Sequence, residues 1–387
     1  MAARLERRHV VGPWHHVVVP LASVLAALAV GAAFLLLAGH DPVLVYREML
    51  RAAFTTRFGI EDTLVSATPL ILTGLAAAVA FRFKLYNIGA EGQLYLGAIV
   101  ASGIVLAVGT RVPAPVAVAL VILGGAAGGM LWMAVPALSR AWLGTSEIIT
   151  TLLFNYVALY LLQYLIFGSR SPWRDATVTN FPQGRRLPEA ALLPQWGTSR
   201  ISLGLAIGVA AALAVWVLLA RTRFGFQLRV FGDSPAAARY AGIPVRRTTV
   251  TVLLLSGALA GLAGASEVAG RTGMLDPNGL AVGFGYTGII VAALARYNPV
   301  AVPGVALLIG GLQNAGTALQ SLPGARVPVA ISTMLQGAIL LFVLAGELSL
   351  HYRVRWRRPR AAQPPAGTGP HAPAAAAGTT GATGSRP

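Results

Sequence analysis

Long apolar runs, separated by short polar or Gly/Pro-rich intervals, dominate this chain. Ten of them stand at about 17–38, 64–81, 90–109, 116–136, 147–167, 201–220, 249–268, 285–296, 299–318 and 328–346. About 20 apolar residues suffice to cross a hydrocarbon core as a helix. Nine runs have that length, and the eighth, 285–296, is shorter. The pattern predicts an all-α polytopic integral membrane protein with about ten transmembrane helices. The first run is too long for the core of a signal peptide and is expected to be an uncleaved first helix.

Three segments do not fit the spanning pattern. Residues 39–63 contain "VLVYREMLRAAF", which predicts an amphipathic helix lying at the interface. Residues 168–200 form a polar loop with several prolines and arginines. Residues 359–387 are rich in Pro, Ala, Gly and Thr and are expected to be disordered. The resulting organisation is a basic N-terminus over 1–16, a transmembrane domain over 17–348 and a basic, then disordered, tail over 349–387.

Charge sets the orientation. The chain has formal charge +17, with only 11% charged residues, against about 25% in soluble proteins. With the N-terminus inside and strict alternation, the cytoplasmic side carries +14 and the outside +3. The positive-inside rule therefore favours N-in and C-in. It also accounts for the basic balance without nucleic acid, since the arginines flank apolar spans. With no cysteine in the chain, disulfides and thiolate chemistry are excluded.

One interval breaks the apolar pattern. In "FKLYNIGAEGQLYLGA" (83–98), the only lysine, Lys84, stands within ten residues of Asn87, Glu91 and Gln93. Backbone inside a membrane must find protein or water partners, so such a break is either a capped turn or part of a wet pathway. As a turn, Asn87 would cap the following helix and Glu91 would sit in its first turn, where the helix dipole favours an acid. As a pathway, Asn87, Glu91 and Gln93 would face the transported molecule. Both readings stand at this point. A similar small-residue helix, then an Asn/Gly break, recurs in "LSGALAGLAGASEVAGRTGMLDPNGLAVG" on the opposite side, which makes an inverted repeat a candidate.

The run "NIGAEGQ" (87–93) resembles the signature of permease subunits of bacterial ABC importers for nucleosides, a branch that also serves simple sugars and branched-chain amino acids. "PLILTGLAAAVAFRFKLYNIGAEGQLYLGA" (69–98), "GTSEIITTLLFNYVALYLLQYL" (144–165), "LRVFGDSPAAARYAGIPVRR" (228–247), "LSGALAGLAGA" (255–265) and "IIVAALARYNP" (289–299) are similar to that family in the same order. The departures are Tyr86, where phenylalanine or a small residue is more usual, and the added C-terminal tail. The resemblance implies a non-enzymatic translocation subunit in the bacterial plasma membrane. It implies a second permease chain, often a paralogue, together with cytoplasmic ATPase subunits and an extracytoplasmic substrate-binding lipoprotein. Nucleosides are the expected substrate, with sugars or branched-chain amino acids as the alternative.

The internal loop 221–248 carries the expected link to the ATPase. Its centre, "PAAARYA", has Asp233 or Ser234 as a cap, Pro235 at the first helical position and Gly242 at the stop. So short a helix is unstable alone and needs a surface. That surface is either the bilayer, met by the loop arginines, or an ATPase groove, as the resemblance implies. In the latter case Gly232, Asp233, Ala237, Arg239, Tyr240, Ala241 and Gly242 are the coupling residues. No ATPase is expected within the chain: a phosphate-binding loop needs Gly-Lys-Ser/Thr, and Lys84 is followed by Leu85. No cofactor or metal is expected either, ATP being used by the separate subunit.

Other polar residues inside spans are Asn155, Gln313 and Asn314, candidates for the pathway or for helix–helix hydrogen bonds. Glu147 reads as a first-turn acid; Glu267, Asp276 and Asn278 lie toward the outer face. Tyr156, Phe284 and Tyr286 are candidates to stack on a nucleobase. An ion-coupled secondary transporter would need midplane carboxylates; the pattern places none there. An intramembrane enzyme is disfavoured because all six histidines lie outside the spans.

Overall fold

The computed structural model describes residues 2–7, 14–168, 170–178, 182–320 and 330–357. Each of the ten apolar runs falls on a helix. These are α1 (His15–Leu37), α3 (Arg57–Phe81), α4 (Ala90–Val108), α5 (Ala114–Leu138), α6 (Glu147–Gln163), α7 (Leu203–Arg221), α10 (Val245–Glu267), α12 (Phe284–Leu294), α13 (Val302–Leu319) and α14 (Ala330–His351). Four shorter helices join them: α2 (Pro42–Phe54), α8 (Arg223–Asp233), α9 (Pro235–Tyr240) and α11 (Pro277–Leu280). α2 falls where the amphipathic helix was expected and packs on α13 through Val45, Met49 and Ala53, and the chain bends by 119° between α1 and α2.

α3 and α10 form the centre, 78% and 72% buried over their apolar windows. α4, α5 and α10 pack along a seam of glycines. A methyl placed on Gly261 would meet the carbonyl oxygen of Gly125 and, at 2.8 Å, the Cα of Gly129. Without side chains these backbones approach closely, the usual way helices associate where lipid removes the hydrophobic drive. α12 and α13 pack on α3, α13 also on α2, and α1 on α14. α6 and α7 lie at the periphery, with 22% and 28% of their windows buried.

Six helix starts, those of α2, α3, α7, α8, α9 and α11, are capped by a local polar side chain. Thr56 Oγ1 accepts from the Gly59 amide, Thr222 Oγ1 from Gly225 and Ser202 Oγ from Gly204. α4 differs: its N-cap is Gly89, and the expected cap by Asn87 is not made. Asn87 Oδ1 instead closes a local turn, accepting from the Gly89 amide at 2.8 Å. The chain reaches α4 extended, so Asn87 lies too far back to meet the first-turn amides.

The membrane body is all-α. Outside it, strands β1 (Ala2–Arg7) and β2 (Tyr352–Arg357) pair antiparallel, Ala2 opposite Arg357. "YRVRWR" alternates basic and apolar residues, the period of a strand, and this part of the expected basic tail is therefore ordered. The pairing brings residues 2–7 and 352–357 to the same side of the described structure. The expected disorder of 359–387 lies outside the described residues.

Candidate functional site

Two structures share the N-terminus of α12: a buried polar knot on its inner side and an open cavity on its outer side.

The knot forms where the chain turns back into the membrane. After α3, the amides of Arg82, Phe83, Lys84 and Leu85 bond to carbonyls of its last turn. Residues 86–89 then run inward again. Asn87 reaches Ser256 Oγ at 2.8 Å, and Ser256 donates to the Ala76 carbonyl at 2.7 Å. Thr73 donates to the Phe284 carbonyl at 3.0 Å. Ala76 and Thr73 stand five and eight residues before the end of α3, so at 1.5 Å per residue the knot lies about 8 to 12 Å above that end.

The buried polar side chains of the interval, Asn87, Glu91 and Gln93, are all engaged. Asn87 and Gln93 form a reciprocal amide pair, at 2.9 and 3.0 Å. Glu91, 2% exposed, accepts from Tyr95 Oη (2.6 Å) and from the amides of Gly283 (3.1 Å) and Gly285 (2.5 Å). It therefore caps α12, a helix almost 200 residues further along the chain. A carboxylate at a helix N-terminus is favoured by both orphan amides and dipole. Asn155 of α6 does the same for α4. Its Oδ1 accepts from the Gly92 amide at 2.9 Å, while its Nδ2 donates to the Ile88 carbonyl (2.9 Å) and Tyr286 Oη (3.1 Å). Glu147 accepts from the Tyr86 amide and pairs with Arg140 at 3.1 Å. Asn87, Glu91, Gln93 and Asn155 are thus brought together. The two breaks of the candidate repeat, expected on opposite sides, touch at Glu91, because 277–283 descend before α12 begins.

Gln313 and Asn314 stand apart from the knot and line a cavity of about 840 Å³, open to one side between α3, α12, α13 and α14. Most of its polar lining is uncharged: Ser66, Thr287, Thr317, Thr333 and Gln336 beside Gln313 and Asn314. Asn314 is held by the Gly59 carbonyl at 3.0 Å. Phe284 and Tyr286 form the floor. Charges appear at the rim, already paired: Arg200 with Asp62 at 2.7 Å, and Arg271 with Glu267 at 3.1 Å. Arg271 also lines a second outer cavity of about 860 Å³ against residues 186–195. Ser256, Tyr95 and Thr151 were not singled out from the sequence; a lone serine within "LLLSGALAG" was the available signal. Among the described residues no cluster of three or more His, Asp or Glu is placed to hold a metal ion.

At the cytoplasmic end, α8 and α9 form a hairpin. Ser234, not Asp233, caps α9, accepting from the Ala237 amide at 3.2 Å. Gly242 takes the left-handed conformation that ends it, φ +75. Ala238 is buried; Asp233, Ala237, Arg239, Ala241 and Gly242 are exposed, and Tyr240 is 98% exposed. Gly232 lies on Phe83: an added methyl would stand 3.2 Å from its ring. The hairpin thus rests directly on the start of the break.

Among the described residues eight helices, or nine with the bent α1–α2 pair, are long and apolar enough to cross a membrane; with an internally braced break and a polar cavity they define a multi-pass all-α membrane protein. Residues 59–344 match the family described as branched-chain amino acid transport system / permease component, and the chain belongs to that family. It is 38% identical to a glucose ABC transporter permease protein of Haloferax volcanii over 91% of this chain and 93% of that one. It is 34% identical to a guanosine ABC transporter permease protein of Bacillus subtilis, over 85% and 93% of the two chains. A nucleoside ABC transporter permease protein of Lactococcus lactis is 29% identical over 84% and 90%. The chain is therefore a membrane-spanning ABC transporter permease subunit.

Proposed function

We propose that this permease translocates nucleosides inward, delivered by an extracytoplasmic binding protein and driven by a separate ATPase. The observation that carries the substrate reading is the largely uncharged polar lining of the cavity, whose three charged residues, Asp62, Arg200 and Arg271, are each held in an ion pair. Amides and hydroxyls from Gln313, Asn314, Gln336, Thr287 and Thr317 suit a ribose and base edges, and Tyr286, 41% exposed, offers aromatic surface for a base. A zwitterionic amino acid would need an unpaired cation and anion inside, whereas the charges near the cavity sit at the rim and are paired. The guanosine and nucleoside permease relatives support the same reading.

Within the pathway set, Gln313 and Asn314 meet substrate, while Asn87, Glu91, Gln93 and Asn155 hold the floor beneath it. The α8–α9 hairpin docks on the ATPase through Ala237, Arg239, Tyr240 and Ala241. Movement there reaches the break through Gly232 and Phe83, then α12 through Glu91. A second permease chain closes the open side of the cavity.

A sugar substrate is the second reading, favoured by the glucose permease relative. Binding of nucleosides, pentoses, hexoses and branched-chain amino acids to the cognate binding protein separates them. Nucleoside binding, followed by ATP-dependent nucleoside uptake in proteoliposomes of the whole assembly, is expected. Hexose binding with no nucleoside binding overturns the substrate assignment. For docking, Ala237→Arg should abolish ATP-driven uptake while the protein still assembles in the membrane; full uptake by that variant overturns it.

A further inference from the structure

The outer face of α6 carries three tyrosines that neither the knot nor the cavity uses. Tyr156, Tyr160 and Tyr164 recur every four residues and are 53%, 65% and 60% exposed. Tyr164 opens the turn Tyr164–Gly168 that continues α6. At 1.5 Å per residue they stand about 13, 19 and 25 Å above Glu147, on a segment about 33 Å long. Tyr156 and Tyr160 therefore sit near the middle of the membrane, away from the two interfaces where tyrosine is normally enriched. Their hydroxyls have no hydrogen-bond partner among the described residues. In hydrocarbon such groups are unfavourable, and three in register on one face do not suit lipid.

α6 reaches the cavity lining through one hydrogen bond. Asn155, beside Tyr156, donates to Tyr286 Oη, and Tyr286 forms the cavity floor. We propose that Tyr156, Tyr160 and Tyr164 line the aqueous substrate route as successive stacking positions for a nucleobase, on the wall that a second permease chain faces. Each tyrosine supplies an aromatic face and a hydroxyl, so a base can pass from one to the next without a charged intermediate site. This rests on the nucleoside reading above.

The absence of cysteine gives a clean test. Tyr156→Cys, Tyr160→Cys and Tyr164→Cys are each introduced singly, with Leu213→Cys on the exposed apolar face of α7 as the lipid reference. The complete assembly in proteoliposomes is treated with a charged, water-soluble methanethiosulfonate, against the assembly with the unsubstituted chain. Modification at the three tyrosine positions at least about tenfold faster than at 213, slowed by nucleoside during turnover, is expected. Reaction as slow as at 213, with nucleoside uptake intact, overturns the ladder and leaves the substrate reading standing. Ready modification slowed by glucose and by no nucleoside overturns the nucleobase assignment together with that reading. Should cysteine variants assemble poorly, Tyr160→Phe and Tyr160→Leu decide the matter: Phe is expected to keep the KM for nucleoside, and Leu to raise it several-fold. Equal KM values in both overturn the stacking role.

Discussion

Replacing Glu91 tests the knot most directly. Three donors converge on its carboxylate: Tyr95 Oη and the amides of Gly283 and Gly285. Alanine leaves all three without an acceptor in a site that excludes water. Each buried unsatisfied donor costs about 1–3 kcal/mol, so Glu91→Ala should lose at least about 3 kcal/mol, with a ceiling near 9 if nothing relaxes. Glutamine keeps the shape and one acceptor oxygen but turns an NH₂ toward a donor, which should cost about 1–3 kcal/mol. The expected order of stability is wild type, then Glu91→Gln, then Glu91→Ala. Thermal unfolding of the purified assembly ranks the three, and amide hydrogen exchange at Gly283 and Gly285 reports the cap itself. Exchange at both amides should accelerate in Glu91→Ala before any other part of α12 loosens. Unchanged protection at Gly283 and Gly285 would refute the cap, whatever the melting temperature did.

Gly261→Ala should destabilise by about 1–3 kcal/mol, because the new methyl meets the Gly125 carbonyl and neither backbone can yield. Gly304→Ala on α13, where nothing lies within 4 Å of the added atom, should be neutral or slightly stabilising in the same melting assay. Trp173 donates to the Ile99 carbonyl and Ser102 Oγ at 3.0 and 3.1 Å, pinning the external loop to α4. Trp173→Ala should therefore speed tryptic cleavage at Arg174 or Arg185 from the outer side without preventing assembly. Asp175, in the same loop, is held below the usual aspartate range by the Thr177 hydroxyl, then by the Thr177 amide. A depressed carboxyl stabilises above its ordinary value and loses that contribution as pH falls through the folded one, so protection of the Thr177 amide should fall below about pH 4. Asp175→Asn should remove that pH dependence.

The apolar periodicity placed a helix under each of its ten runs, and among the described residues eight of the helices, or nine with the bent α1–α2 pair, are long and apolar enough to cross a membrane, because a helix in lipid must be apolar along its whole length and needs no partner to be recognised. α2 was legible for a similar reason: "VLVYREMLRAAF" is amphipathic on its own. α8 was not read, since "RFGFQLRVFGD" gains its helical stability from packing Phe231 and Leu228 beneath it. The polarity of 84–93 was visible at once, yet its meaning was not. Composition places Glu91 in a first turn, but the amides it caps belong to α12, far along the chain. Asn155 illustrates the same limit: its two readings were a helix contact and a pathway contact, and it makes the first while reaching Tyr286 on the cavity floor. Gln313 and Asn314 looked alike in sequence and differ from the knot residues only by facing open space.

The knot also constrains how this permease can move. A break at half depth needs every amide satisfied, and here the partners come from separate helices: Ser256 on α10, Asn155 and Thr151 on α6, and Glu91 itself, which reaches α12. Freeing the break alone would expose several buried donors together. A shift of the α8–α9 hairpin, seated on Phe83 through Gly232, is therefore cheaper to accommodate if the break, the start of α4 and the start of α12 move as one body. The floor of the cavity belongs to that body, through Phe284 and Tyr286. Under the proposed coupling, then, the elements that must slide are the ones joined to the body by apolar contacts. The walls built from α13 and α14 meet α12 mainly that way, which places the changing surface of the cavity between its floor and its α13–α14 wall.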